Sequence, residues 1–375
     1  MQFAPIEFLP AGQPMALFRR RPRSGPTDIR IDAERSAEID DYIAEQIRLD
    51  GPGLALAVSE TGTIAHAAGY GRADVASGRP IAPDTIFHLA SCGKQFTALG
   101  ILMLAEEGKL GLDDPVGGHL PALAGFGRGV TLRRLLNHTS GIRDFYDEEG
   151  IDEVLARWER PTNADVIRLC ADLGCPMAED GLEPGDTFSY GNTGYDLLGA
   201  VIERVSGRSY HDFFQQRVFD PLAMKSTFSV PDQRLEDPRC ATGYVLDDRN
   251  DFVEQGGSEF DDLVGSGSFY TTVLDLCRYE QALRTNSLVS AVSLRAALIR
   301  GQTNDGQFTE YGLGWYLADY EGMPLAEHKG AWTGFYTYIV RYLERPLSIF
   351  VLSNHPDVNL VDVANVATDA YANGG

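Results

Sequence analysis

Runs that read as β-strands lie at the two ends of this sequence, and helical periodicity fills most of what lies between. This arrangement constrains the fold more than any other feature, because a half-buried strand needs a partner and the available partners are far apart in the chain. Near one end, residues 54–58 and 63–68 flank the turn Glu60-Thr61-Gly62, a spacing that predicts an antiparallel hairpin. Near the other, residues 313–318, 325–329, 336–342 and 348–352 are short runs rich in aromatic and β-branched residues, separated by turns. The simplest packing joins both sets into one antiparallel sheet flanked by helices, an α/β (α+β) architecture with the helical middle inserted as a second lobe. The expected organisation is an N-terminal extension over 1–30, a sheet lobe from 31–95 and 300–375, and a mainly helical lobe over 96–299. A cleft between two lobes is where a binding site is expected.

Three helices follow from spacing. Ile39, Tyr42, Ile43 and Ile47 recur with helical period over 33–49, and Gly51-Pro52-Gly53 stops the run. Phe96, Leu99, Met103 and Glu106 step along a second helix over 91–109, closed by Gly108 and Gly111. Residues 361–371 form a closing helix. Residues 1–30 are rich in Pro and Arg and show no periodicity, which fits a loose arm.

The charge narrows the partners. Against 32 Lys+Arg stand 54 Asp+Glu, a net −22, and such a surface repels phosphate backbones and anionic lipid. Nucleic-acid and membrane partners are therefore not expected, and no apolar run approaches the ~20 residues of a membrane span. The prolines at 5, 10 and 14, Glu7, and arginines that follow the first apolar residues do not fit a secretory signal, so the expected location is cytoplasmic. Five cysteines, an odd and sparse set, do not form a disulfide framework. Cys170 and Cys175 lack zinc-site spacing and read as two buried thiols.

The first chemical signal is Ser91-Cys92-Gly93-Lys94 at the start of the second helix. Positions i and i+3 are neighbours on a helix, so a neutral Lys94 amine can take the proton of the Ser91 hydroxyl. The unpaired N–H groups of a first helical turn can stabilise an oxyanion, and Gly93 leaves room for a substrate. Such a base needs a pKa about three units below the ~10.4 of free lysine, which burial or a second cation must supply. Taken alone, Ser-x-x-Lys favours a capping serine beside a solvated charge. Cys92 is a rival nucleophile without a spaced His/Asn partner set.

Two further segments strengthen the signal. Tyr190-Gly191-Asn192 lies on a Gly-rich loop: the phenol can relay a proton, and the amide can bind a substrate carbonyl. The bland alternatives are a core-edge tyrosine and a turn asparagine. His328-Lys329-Gly330 closes a strand. There an imidazole or cation can hold the tyrosine, Gly330 lets substrate lie against the strand edge, and the Ala331 amide can be a second oxyanion donor. The alternative is an ordinary strand end with a hydrogen-bonded histidine. Tyr146, Trp332 and Phe335 are candidates for an apolar acyl pocket, each as well suited to the core.

Ser-x-x-Lys, Tyr-x-Asn and a His-x-Gly triplet in this order resemble the serine β-lactamase and penicillin-binding-protein superfamily, in particular its group of class C β-lactamases, D-Ala-D-Ala carboxypeptidases, D-aminopeptidases and family VIII esterases. The segments 135–141 (Leu-Leu-Asn-His-Thr-Ser-Gly) and Gly265-Ser266-Gly267 followed by Thr271, Asp275 and Leu276 are similar to further motifs of the group, over roughly 35–370. The resemblance implies an acyl-enzyme on Ser91, with proton transfer shared by Lys94 and Tyr190. It implies that Asn192 holds the substrate, that His328 stands where the group has a lysine, and that the amides of Ser91 and Ala331 form the oxyanion hole. It implies no cofactor and no metal, and a small-molecule ester, amide or peptide as substrate; oligomeric state stays open.

Two departures matter. His328 replaces a permanent cation with a group that titrates near pH 6.5, and Lys329 replaces a hydroxyl residue. Lys329 can bind the substrate anion instead, unless strand alternation turns it away. Both point from β-lactamase or carboxypeptidase activity toward an esterase, an amidase or a D-aminopeptidase. A reading from another class is a binding or regulatory protein that kept the fold and lost the chemistry, which an intact Ser91, Lys94, Tyr190 and Asn192 oppose. No H-E-x-x-H or Walker A motif is present, and the glycine fingerprint at 265–267 is incomplete for a dinucleotide.

Overall fold

The computed structural model describes residues 28–372 except 175, 176, 178, 180, 231 and 232, and leaves the side chains of 148, 233 and 234 undescribed. Most of the expected extension over 1–30, and Cys175, therefore lie outside the described residues. Cys170 is buried, as expected.

Helix α1 spans Ala33–Gln46, and Asp32 caps it by accepting from the amides of Glu34 and Arg35. Strands β1 (Leu54–Glu60) and β2 (Thr63–Tyr70) form the expected hairpin. Four more strands come from the far end: β6 (Tyr316–Tyr320), β7 (Met323–Trp332), β8 (Phe335–Tyr342) and β9 (Leu347–Ser353). They make one antiparallel six-stranded sheet in the order β6-β7-β8-β9-β1-β2. The two chain ends meet where β1 pairs with β9, from Leu54 opposite Ser353 to Glu60 opposite Leu347. β6 starts at Tyr316 because Tyr311 bridges back to it, so 311–315 turn instead of extending.

Strand alternation explains how the sheet is covered on both faces. Leu54, Leu56 and Val58 point to one side and join Ile39 and Ile43 of α1 and Val363 and Ala367 of the closing helix α5 (Leu360–Ala372). Ala55 and Ala57 point to the other and join the large core of the middle lobe. The alanines there let helix α4 (Val273–Arg284) lie against β1.

The middle lobe is built on α2 (Lys94–Glu106), in which every residue from Lys94 to Leu104 is buried, and on α3 (Thr193–Ser206). It also holds strands that periodicity does not reveal. β3 (Phe87–His88), β4 (Phe228–Ser229) and β5 (Phe269–Thr271) form a three-stranded sheet in the order β3-β5-β4. Two- and three-residue strands are too short to show a period of two. No helix among the described residues is long and apolar enough to cross a membrane.

Candidate active site

Ser91 sits on a single 3₁₀ turn, Ala90–Gly93, that leads directly into α2. Side chains at i and i+3 eclipse in a 3₁₀ helix, so Ser91 and Lys94 project together. The turn is entered through Ala90 at φ +49°, a left-handed conformation that costs an alanine roughly 1 kcal/mol or more. It is held there by the Ala90 N–H donating to Nδ1 of His88 (3.1 Å) and the Leu89 N–H to the carbonyl of Phe269 (2.7 Å).

Lys94 is 0% exposed. Its Nζ lies 3.0 Å from Ser91 Oγ, 2.7 Å from Asn192 Oδ1 and 3.0 Å from the carbonyl oxygen of Ser266. The last two atoms can only accept. In the neutral amine they occupy both N–H bonds, and the lone pair is left facing the Ser91 hydroxyl. Burial lowers the Lys94 pKa to about 8, while Asp196 and Asp144 work against the shift.

Asp144 and Asp196, which sequence reasoning missed, fix this cradle. Asp144 Oδ1 accepts from the amides of Asn192 (2.9 Å) and Thr193 (3.0 Å) and from Thr193 Oγ1 (2.9 Å), pinning the start of α3. One turn along α3, fully buried Asp196 accepts from the Ser266 amide (3.2 Å) and from the Tyr146 hydroxyl (3.0 Å). Burial raises its carboxyl to about 7. An aspartate inside the apolar run of α3 was the signal that marked it. Gly265 lets the 265–267 segment come this close, since a Cβ there would stand 2.1 Å from the Tyr195 carbonyl oxygen.

Tyr190 approaches Ser91 from the opposite side. It lines one cavity together with Ser91, and Lys94 Nζ lies 4.9 Å from its ring centroid. Burial holds the phenol well above its ordinary range. Ser91, Lys94, Tyr190 and Asn192 thus form one cluster.

Ser91 stands between two cavities. The inner one is lined by Asn192, His88, Tyr146, Phe260, Asp261 and Trp332 among others. The outer one, larger and more open, includes Tyr190, Glu327 and Lys329. Ala331 borders both. β6 stops pairing with β7 at Glu327, so among the described residues 328–332 have no strand partner on that side. Tyr146 and Trp332 line the inner cavity as expected; Phe335 does not, being packed against Phe87 and His88.

The expectations for His328, Gly330 and Gly93 are corrected. His328 does not hold Tyr190: its Nε2 lies 2.8 Å from the hydroxyl of Tyr311 and its Nδ1 2.6 Å from the carbonyl of Lys329. Because that carbonyl only accepts, Nδ1 carries the proton and Tyr311 donates to Nε2. Nor does His328 titrate near pH 6.5, since burial pushes it down to about 3. Gly330 does not make room for substrate: a Cβ there would meet Thr337 Oγ1 at 2.4 Å and the Leu89 carbonyl at 2.8 Å, so the glycine lets β7 touch the serine-bearing turn. Gly93 is likewise buried, facing Phe269. Lys329 is exposed, its Nζ over the Tyr338 ring at 5.8 Å, and Tyr338 hydrogen-bonds Glu327. Cys92 is no rival, because its buried thiol donates to the His328 carbonyl (3.0 Å) and its pKa is pushed up to about 12.

The profile of the family described as Beta-lactamase matches residues 39–372. The chain belongs to the β-lactamase family. Among curated relatives of this β-lactamase-family chain, "Penicillin-binding protein 4*" of Bacillus subtilis (strain 168) is 34% identical over 327 residues, covering 83% of this chain and 69% of that protein. Among solved structures, the octameric penicillin-binding protein homologue from Pyrococcus abyssi superposes with a TM-score of 0.78 at 30% identity, over 90% of this chain and 76% of that one. A D-amino acid amidase from Ochrobactrum anthropi SV3 shares the fold, with a TM-score of 0.73 at 23% identity over 92% of this chain and 100% of that one. The β-lactamase/transpeptidase-like fold, an antiparallel sheet with helices and a helical lobe, is the fold of this chain.

Proposed function

We propose that this chain is a serine hydrolase that cleaves small esters or amides through an acyl-enzyme on Ser91, an esterase, amidase or D-aminopeptidase. The observation that carries the reading is the saturation of Lys94: two fixed acceptors take its N–H bonds and its remaining position meets Ser91 Oγ at 3.0 Å.

The Ser91 oxygen attacks the substrate carbonyl carbon as its proton passes to neutral Lys94. The oxyanion is received by the amides of Ser91 and Ala331. When the tetrahedral centre collapses, the bond to the leaving group breaks, and the departing oxygen or nitrogen takes a proton from Tyr190, which recovers one from the Lys94 ammonium. A water then attacks the acyl carbon and gives its proton to the same base; the bond from the acyl carbon to Ser91 Oγ breaks, Oγ takes that proton back, and the acid leaves. Asn192, whose Oδ1 is engaged by Lys94, keeps its amide N–H groups for the substrate.

Activity of the β-lactamase or D-Ala-D-Ala carboxypeptidase type is the second reading, supported by family membership. The neutral, buried His328 weighs against it, because no permanent cation stands at that position to meet a substrate carboxylate. A panel of p-nitrophenyl esters, D-alanyl amides and a chromogenic cephalosporin tests both. Ester or amide turnover that disappears in Ser91→Ala is expected. Turnover that survives the substitution, or cephalosporin as the preferred substrate, overturns the leading reading; inertness across the panel favours the non-catalytic binder.

A further inference from the structure

The inner cavity has a sign. Among the described residues that line it, Asp261 is the one charged side chain, and no lysine or arginine faces it. Asp261 is held by its neighbours: Trp332 Nε1 donates to Oδ1 at 2.9 Å and the Ser258 amide donates to Oδ2 at 2.7 Å. Each carboxylate oxygen keeps acceptor capacity. Arg160, the nearby cation, is bound to Asp262 instead (2.9 Å) and makes no ion pair with Asp261.

The other walls suit a cation. Tyr146 packs on Phe260 with ring centroids 5.2 Å apart and on Trp332 at 6.1 Å, so three aromatic rings adjoin the carboxylate. His88 is 5% exposed and brings no positive charge, because burial lowers it to about 3. Its Nδ1 accepts from the Ala90 amide, so the neutral ring carries its proton on Nε2, which has no protein partner among the described residues. The cavity therefore offers a carboxylate, aromatic faces, the amide N–H groups of Asn192 and the N–H of His88.

The position of Tyr190 says which half of a substrate enters here. Tyr190, the proton donor to the leaving group in the mechanism above, lines the outer cavity and not the inner one. The leaving group departs outward and the acyl group occupies the inner cavity.

Resting on the hydrolase reading, we infer that the inner cavity is a site for an acyl group bearing a protonated amine, with Asp261 as its counterion: the preferred substrates are esters or amides of amino acids with a free amino group. Asp261 is then a specificity-determining residue, and the His88 N–H is a second polar contact for the same acyl group.

The test compares phenylalanine p-nitroanilide or p-nitrophenyl ester, in both D and L forms, with the 3-phenylpropanoyl analogue that lacks only the amine. Wild-type kcat/KM should favour the amine-bearing member of one enantiomeric series by about tenfold or more. The ratio should fall toward one in Asp261→Asn and persist in Glu259→Gln, a neighbouring exposed acid outside this cavity. Fluorophosphonate labelling of Ser91 reports whether each variant is folded. Should Asp261→Asn not fold, the wild-type ratio alone decides: it should fall as pH rises past the substrate amine's pKa of ~8, and the enzyme's own titration cancels in the ratio. A wild-type ratio of one, or a ratio unchanged in folded Asp261→Asn, overturns the ammonium site while labelling of Ser91 keeps the hydrolase. Absence of both labelling and turnover removes the two together.

Discussion

The carbonyl oxygen of Ser266 accepts a hydrogen bond from Nζ of Lys94 at 3.0 Å. With Asn192 Oδ1 as the other fixed acceptor, it aims the remaining position of the nitrogen at Ser91. Lys94→Met removes the amine but keeps an unbranched apolar stem in a fully buried site. It should lower kcat/KM by ~10³-fold or more, since nucleophile and base act as one unit. The protein should remain folded by circular dichroism. A loss of less than tenfold would show that another group takes the proton.

The pH profile follows from burial. The base works neutral, and burial brings Lys94 to about 8, so kcat/KM should rise tenfold per unit up to roughly pH 8 and then level off. No limb should occur near pH 6.5, because His88 and His328 are pushed down to about 3 and His138 lies well below its ordinary value, all by burial. Tyr190 stays protonated throughout, its phenol raised by burial. Initial rates between pH 5.5 and 9.5 check this; a limb at 6.5 that persists in Asp196→Asn would assign the chemistry to a histidine.

Asp196→Asn keeps an acceptor for the Ser266 amide and removes a buried negative charge that favours the lysine ammonium. The Lys94 pKa should drop further, moving the limb to lower pH by roughly one unit. A limb that stays in place would show that Asp196 only braces Ser266.

His328→Ala separates structure from catalysis. It leaves the buried Tyr311 hydroxyl without its 2.8 Å acceptor and opens a cavity, which should cost about 2–4 kcal/mol. Because the imidazole is neutral, the position of the pH limb should not move. Denaturant unfolding and the pH profile together measure the two effects.

Gly330→Ala should be worse than its size suggests. The added methyl would meet Thr337 Oγ1 at 2.4 Å and the Leu89 carbonyl at 2.8 Å, pushing β7 away from the turn that carries Ser91. A loss of ~10-fold or more in kcat/KM is expected, with a lower melting temperature. Wild-type kinetics in this variant would mean the contact yields freely.

The layout of strands and helices was legible because both ends of the chain carry runs long enough to show a period. Ser91 and Lys94 were legible because i and i+3 spacing is local. What sequence could not supply was long-range. Asp196 and Ser266 are 70 residues apart and meet only where α3 touches the 265–267 segment. His328 faces Tyr311 instead of Tyr190 because of how β7 sits over the chain at 311, which no spacing encodes. Gly330 looks in sequence like room for substrate, but the space beside it is filled by the serine's own turn.

In the proposed reaction the Ser91 oxygen is the atom that becomes acylated. Brief incubation with an activated p-nitrophenyl ester, acid quench and peptide mass mapping tests it most directly. One acyl group per chain should appear on the peptide holding Ser91 and be absent from Ser91→Ala and from Lys94→Met. Nitrophenol release with the adduct on any other residue, or with equal labelling of the Ser91→Ala protein, would contradict it.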